Sequence, residues 1–240
     1  MPYFYFDYTY LIVLPAILFA LWAQSRVQSA HRECGKIYTR AGMTGADVAR
    51  RVLLQNGVSG VSIQHVSGHL TDHFDPRENV IRLSDSVYGS SSAAAIGVAA
   101  HEAGHAVQYA KGYFPIRLRA AILPVTNVGS RLAIPLFLIG LLMTGLANAT
   151  YATLGYSIAL IGIAAFSLTA LFQLITLPVE FNASRRAMVA LETSYLWSDE
   201  ELSAAKRMLT AAALTYVAAL ATSLLSLLRL MILLGGRRRR

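Results

Sequence analysis

Apolar and polar positions alternate on two scales along this chain. Long apolar runs occupy residues 8–22, 132–146, 154–177 and 209–234, whereas the region between the first two carries only short periodicities. The run at 154–177 holds no charged residue and is long enough to cross the ~30 Å hydrocarbon core of a bilayer as a helix. Tyr3 to Tyr10 form an aromatic cluster of the kind found at a membrane interface. No basic n-region and no small-residue cleavage pattern accompany the first run, so it is expected to be a retained anchor, with Pro15 kinking it. Asn148 to Tyr151 leave a very short turn between the second and third runs, which predicts a hairpin. Arg229 interrupts the fourth run close to its end, where its side chain can snorkel toward headgroups.

Residues 24–40 are expected to extend the first helix out of the membrane. Thr44 and Asp47 have the spacing of a helix start, Val48, Val52 and Leu53 supply an apolar face, and Gly57 stops the element. Residues 58–66 alternate as a half-buried strand does, Asp75-Pro76-Arg77 marks a turn, and 79–84 alternate again. Ser90 to Ser92 offer a cap for a small-residue helix over 93–107, because a serine hydroxyl satisfies free amides at a helix start. Gly112 and Pro115 are expected to close that unit. Helices with a small sheet beside about four transmembrane helices predict an α+β membrane protein.

Composition agrees with the runs. Of 240 residues 55% are apolar and 14% charged, and the mean hydropathy is +0.48, which is too apolar for a soluble fold of this size. The single cysteine, Cys34, excludes an internal disulfide and a four-cysteine zinc site. The net charge is +8, from 21 basic against 13 acidic residues, with Arg237 to Arg240 at the tail. Scattered basic surface is lacking, so the partner expected for this charge is anionic lipid and no nucleic acid. Basic residues between Arg26 and Arg119, and Arg185, Arg186, Lys206 and Arg207, place both polar regions on the cytoplasmic side of a multi-pass protein of the plasma (inner) membrane. Four simple spans would leave the arginine tail outside, against the same rule, and the pattern alone leaves open whether the last segment crosses fully.

The chemistry is concentrated in His101-Glu102-Ala103-Gly104-His105. Two histidines four apart on a helix share one face and can grip a zinc ion, with Glu102 beside them as the base for water. A catalytic zinc needs a third protein ligand, and positions 108 and 109 are Gln and Tyr. Glu180 follows Pro178 at the end of the third apolar run, on the same predicted side, and is a candidate; the same carboxylate could instead pair with Arg185 or Arg186 at the interface. His65, His69 and His73 also recur every four residues, but that spacing has no meaning on the strand and turns expected there. Gly57, Gly60 and Gly68 match no phosphate-loop pattern and read as turn glycines.

The pentad with Ala106-Val107-Gln108, Asp75-Pro76-Arg77 and Leu83-Ser84 before it, and residues 177–187 after it (Leu-Pro-Val-Glu-Phe-Asn-Ala-Ser-Arg-Arg-Ala), resembles the YugP-type neutral zinc metallopeptidases of bacterial membranes over nearly the whole chain. More remotely the chain is similar to the HtpX and Ste24 membrane peptidases. The resemblance implies a gluzincin-like core of helices plus a small antiparallel sheet. It also implies one Zn2+ per chain on His101, His105 and Glu180, with Glu102 as catalytic base. Relatives in the wider group carry an aspartate four residues beyond the third ligand that orients a zinc histidine; Ser184 holds that place here, and Asn182 stands where closer relatives often have an aspartate. Asn79, Val80, Ile81, Arg82, Leu83 and Ser84 are implied to form an edge strand beside the cleft, to which a peptide could add through backbone hydrogen bonds. His73, Arg185 and Tyr195 are candidates to steady the oxyanion.

The expected organisation is an anchor at 1–25, a catalytic insert at 26–130, a transmembrane hairpin at 131–178, a third-ligand segment at 179–207 and a final membrane helix with basic tail at 208–240. The expected activity is endoproteolysis of membrane or unfolded proteins at the bilayer. The competing readings are a non-proteolytic zinc-binding scaffold or chaperone-like protein, which would need no Glu102, and a lipid or small-amide hydrolase with the same metal chemistry. A transporter would need inverted repeats that the chain lacks.

Overall fold

The computed structural model describes residues 7–146 and 148–237, so the first part of the aromatic cluster and the side chains of the arginine tail lie outside the described residues. In chain order the elements are α1 (Tyr10–Cys34), α2 (Gly45–Gln55), β1 (Ser62–His65), β2 (His73–Asp75), β3 (Val80–Leu83), α3 (Ala93–Ala110), α4 (Phe114–Met143), α5 (Ala149–Glu192) and α6 (Asp199–Arg237). Helices α1, α4, α5 and α6 are long and apolar enough to cross a membrane, and only 17% of the most apolar stretch of α5 is buried within the protein. Lipid must cover the remainder. The protein is therefore an α+β membrane protein. Contacts divide it into two compact units: Met1–Leu21, Leu118–Thr176 and Tyr216–Arg240 make one, and Trp22–Arg117 with Leu177–Thr215 the other.

In the first unit, glycine sets the α4–α5 hairpin. A Cβ at Gly140 would lie 2.3 Å from the Ala159 nitrogen, and one at Gly162 would lie 2.6 Å from the Phe137 nitrogen. Backbones approach this closely only where side chains are absent, which is how packing is gained in lipid, where burial itself supplies no drive between helices. Phe137, Ala159, Leu230 and Leu234 form the buried seam. Asn148 starts α5, its Oδ1 accepting from the amides of Thr150 and Tyr151 at 2.9 and 3.4 Å. Arg229 does not snorkel freely. Its guanidinium donates to Asp7 Oδ2 at 2.7 Å and Thr9 Oγ1 at 3.0 Å, and it lies 3.7 Å from the Tyr10 ring centroid. Asp7 precedes α1 and Arg229 nears the end of α6, so the fourth apolar run returns to the level at which the first begins.

The second unit starts from two caps anticipated above. Thr44 Oγ1 accepts from the Asp47 amide, and the Asp47 carboxylate accepts from the Thr44 amide and hydroxyl at 3.2 and 2.6 Å, a capping box. Ser92 caps α3 through the Ala95 amide. Val48, Ala49, Val52 and Leu53 of α2 join Ile81 and Leu83 of β3 and the alanine-rich face of α3 in one buried core. Pro115 lies in the first turn of α4 rather than closing the preceding unit, since proline's missing N–H costs nothing there. Helix α5 runs without interruption through Pro178, carrying the third apolar run onward to Glu192.

The sheet differs from expectation in two respects. It is mixed rather than wholly antiparallel: β1 pairs parallel to β3, and β2 antiparallel to it. The order β1-β3-β2 puts β3 in the centre. The segment expected to be an edge is thus hydrogen-bonded on both sides, and a peptide cannot add to it. Val80, Ile81 and Leu83 are buried in the core. Arg82 pairs with Asp75 and Glu78, and Asn79 sits at φ 55 in the β2–β3 turn, its amide donating to Gly60 O at 2.8 Å. The amide and hydroxyl of Ser84 both donate to Asp72, at 2.7 and 2.9 Å. Each of the six residues therefore has a structural engagement.

Candidate metal centre

Helix α3 packs tightly against α5 because of Gly104. A Cβ there would meet the Ala183 carbonyl oxygen at 2.8 Å, a separation that real side chains do not tolerate. On this face of α3, His101 and His105 lie one turn apart with ring centroids 4.7 Å apart, and α5 presents Glu180 opposite. Glu180 Oε2 is 3.2 Å from His101 Nε2 and 3.4 Å from His105 Nε2. Tetrahedral bonds of ~2.0–2.1 Å place neighbouring ligand atoms about 3.3 Å apart, so both separations match edges of a zinc tetrahedron. The three ligand atoms all fall within 4.8 Å of one another, the single such group among the described residues. Glu180 is 2% exposed, and a carboxylate buried to this degree requires a cation or donors.

The outward nitrogens of both rings are held by neutral groups. Ser184 Oγ lies 3.1 Å from His101 Nδ1, and Gln108 Oε1 lies 3.0 Å from His105 Nδ1. The fully buried Gln108 has one available orientation, because its amide nitrogen donates to Val179 O at 2.8 Å and Asn182 Oδ1 at 3.0 Å. Arg186 Nε donates to that same Asn182 oxygen at 2.8 Å, which fixes the Asn182 amide in turn. The Gln108 oxygen must then face His105, so Nδ1 carries a proton and Nε2 is the nitrogen left to ligate a metal shared with Glu180. In the metal-free protein, burial lowers the His105 pKa, but hydrogen bonding and charge from Glu180, then the charge of Glu102, outweigh it and leave the pKa raised.

A sequence profile of the family described as "Putative neutral zinc metallopeptidase" matches residues 9–235. The chain belongs to this family. It is also 43% identical, over 227 residues covering 94% of this chain and 96% of the relative, to the "Putative membrane protease YugP" of Bacillus subtilis (strain 168). No solved structure matches the chain. Two nitrogen donors and one carboxylate oxygen at tetrahedral spacing, with the Nδ1 of each imidazole engaged by an outer partner, fit the zinc that a neutral zinc metallopeptidase uses.

The other expected residues are dispersed. Ser184 is at the centre, against His101. His73 lies on β2 with Nδ1 2.8 Å from Thr71 O. Arg185 is exposed on α5, and Tyr195 is 92% exposed, in the turn after that helix. His65 pairs with Asp85 at 2.5 Å, and His69 lies against His31 with centroids 4.6 Å apart, so the three periodic histidines face three different partners. Gln108 and Arg186 were missed as supports. The available signal was Gln108 one turn beyond His105, on the histidine face of the same helix.

Proposed function

We propose that the protein is a zinc-dependent endopeptidase acting on membrane or unfolded proteins at the cytoplasmic face of the bacterial plasma membrane. The observation that carries this reading is the convergence of His101 and His105 of α3 with Glu180 of α5 at ligand spacing, beside Glu102 of α3, which is 9% exposed. Bound zinc would polarise the scissile carbonyl and acidify water. Glu102 takes the proton from the attacking water and delivers it to the leaving amine, a role for which a structural metal site has no use. Ser184 and Gln108 engage Nδ1 of His101 and His105, which leaves Nε2 of each ring for the metal, and Glu180 supplies the anionic ligand.

With β3 closed on both sides, the substrate strand is assigned to β2. Its inner edge pairs with β3, it contacts α3, and Phe74 packs edge-on against Tyr109 of α3 with centroids 5.8 Å apart. A peptide adding along its outer edge would run beside the helix that carries the histidines. The test is cleavage of quenched casein and of a transmembrane substrate by detergent-purified protein, wild type and Glu102→Gln, with chelator and with zinc restored. Activity lost with either chelator or Glu102→Gln, while the variant still binds zinc, supports the peptidase. Equal cleavage by Glu102→Gln would overturn it.

A further inference from the structure

A cavity of about 280 Å³ lies between α1 and α6 in the second unit, roughly nine waters' worth of space. Its wall includes Arg26, Lys206 and Arg207 against one carboxylate, Glu33, together with the Ser203 hydroxyl and the apolar side chain of Leu214. Among the described residues none of the three cations has an ion-pair partner within 4.0 Å. Three basic groups therefore surround one concave space with an unbalanced positive charge.

The position along both helices names the occupant. On α1, Arg26 comes one turn after Trp22, where the first apolar run ends, and Glu33 lies two turns farther out. On α6, Ser203 and Lys206 precede the fourth apolar run, and Leu214 is already inside it. On α6 the lining thus grades from charged to apolar, and on α1 its innermost member, Arg26, stands one turn from the end of the apolar run, so the cavity opens at the level of a bilayer interface. A soluble anion would have no use for the apolar end. We propose that this cavity binds the headgroup of an anionic phospholipid, with the phosphodiester among Arg26, Lys206 and Arg207 and the first part of the acyl region against Leu214. Such a site differs from the diffuse attraction of basic residues to anionic membranes, because it selects by shape as well as by charge.

The test is native mass spectrometry of full-length protein released from micelles doped equally with phosphatidylglycerol and phosphatidylcholine. Three proteins are compared: wild type, the cavity triple Arg26→Gln/Lys206→Gln/Arg207→Gln, and an outer triple Arg32→Gln/Lys36→Gln/Arg117→Gln that removes equal charge elsewhere. Wild type and the outer triple should retain phosphatidylglycerol over phosphatidylcholine by about tenfold, and the cavity triple by less than twofold. Leu214→Trp, which fills the cavity and keeps every charge, should lose the preference as well and covers the case in which the cavity triple fails to fold. Equal retention of the two lipids by wild type, or equal losses in the two triples, would overturn the site. Release of phosphatidylglycerol by millimolar inorganic phosphate would assign the cavity to a soluble anion and overturn the lipid.

Discussion

Replacing Gln108 by leucine is the sharpest probe of the centre, because it removes a group that touches no metal. The leucine keeps the buried volume but leaves His105 Nδ1–H without the acceptor now 3.0 Å away. Asn182 Oδ1 keeps its bond from Arg186 and Val179 O loses the amide donor 2.8 Å away, so the imidazole is the one metal-facing group that loses its partner. An unpaired buried donor costs ~1–3 kcal/mol, and loss of such an outer partner weakens metal binding about 10–100-fold, or ~1.4–2.7 kcal/mol. Zinc affinity is read by competition with a chromophoric chelator in detergent, alongside thermal unfolding of the metal-free protein to isolate any folding defect. Ser184→Ala is the internal comparison. Ser184 is only half-buried, so water can replace its hydroxyl and the loss should stay below tenfold. Zinc affinity of Gln108→Leu within twofold of wild type, or a larger effect from Ser184→Ala, would refute the fixed-tautomer reasoning.

Gly104→Val should push α3 from α5, since even a Cβ would fall 2.8 Å from the Ala183 carbonyl; a stability loss of ~1–3 kcal/mol and loss of stoichiometric zinc are expected by thermal unfolding and metal analysis. Arg229→Leu removes charge-assisted bonds to Asp7 and Thr9 and should lower stability by ~1–3 kcal/mol in detergent melts, leaving zinc affinity unchanged. Burial works to raise the Asp47 pKa, but the larger effect of the Thr44 hydroxyl, with the Thr44 amide and Arg50, holds it below the ordinary aspartate value. A depressed folded pKa means that the stabilisation is present above the ordinary value and fades as pH falls through the folded one. Wild type should therefore exceed Asp47→Ala by ~1 kcal/mol near neutrality, with the two melting curves converging in acid; a constant gap across that range would contradict the assignment.

What could be read from the sequence was local. Thr44 with Asp47, Ser92 and the small residues around His101 each announce a cap or a close helix contact within one turn, and the structure has them there. The limits of the apolar runs were less informative about helices. Hydropathy changes after Leu177, but the backbone hydrogen-bond ladder is indifferent to that change, and α5 continues to Glu192. The central place of β3 depends on pairing with strands on both sides, one of them parallel, and alternation within a strand says nothing about its neighbours. Gln108 was visible only as a residue unable to be the third ligand. Its partners Val179 and Asn182 are 71 and 74 positions away, and no periodicity reports contacts at that range.

The join between Asp7 and Arg229 spans 222 positions, which bears on how the protein is made. Synthesis runs from the N-terminal side, so Asp7 leaves the ribosome 222 positions ahead of its partner. Until Arg229 has been made, α1 lacks the contact that ties its outer end to α6. A chain cut short before Arg229 would keep every candidate zinc ligand and still have an open membrane bundle. Passage of synthesis beyond Arg229 is thereby recorded where α1 begins, so a product cut short of it differs from one that includes it in the holding of that helix.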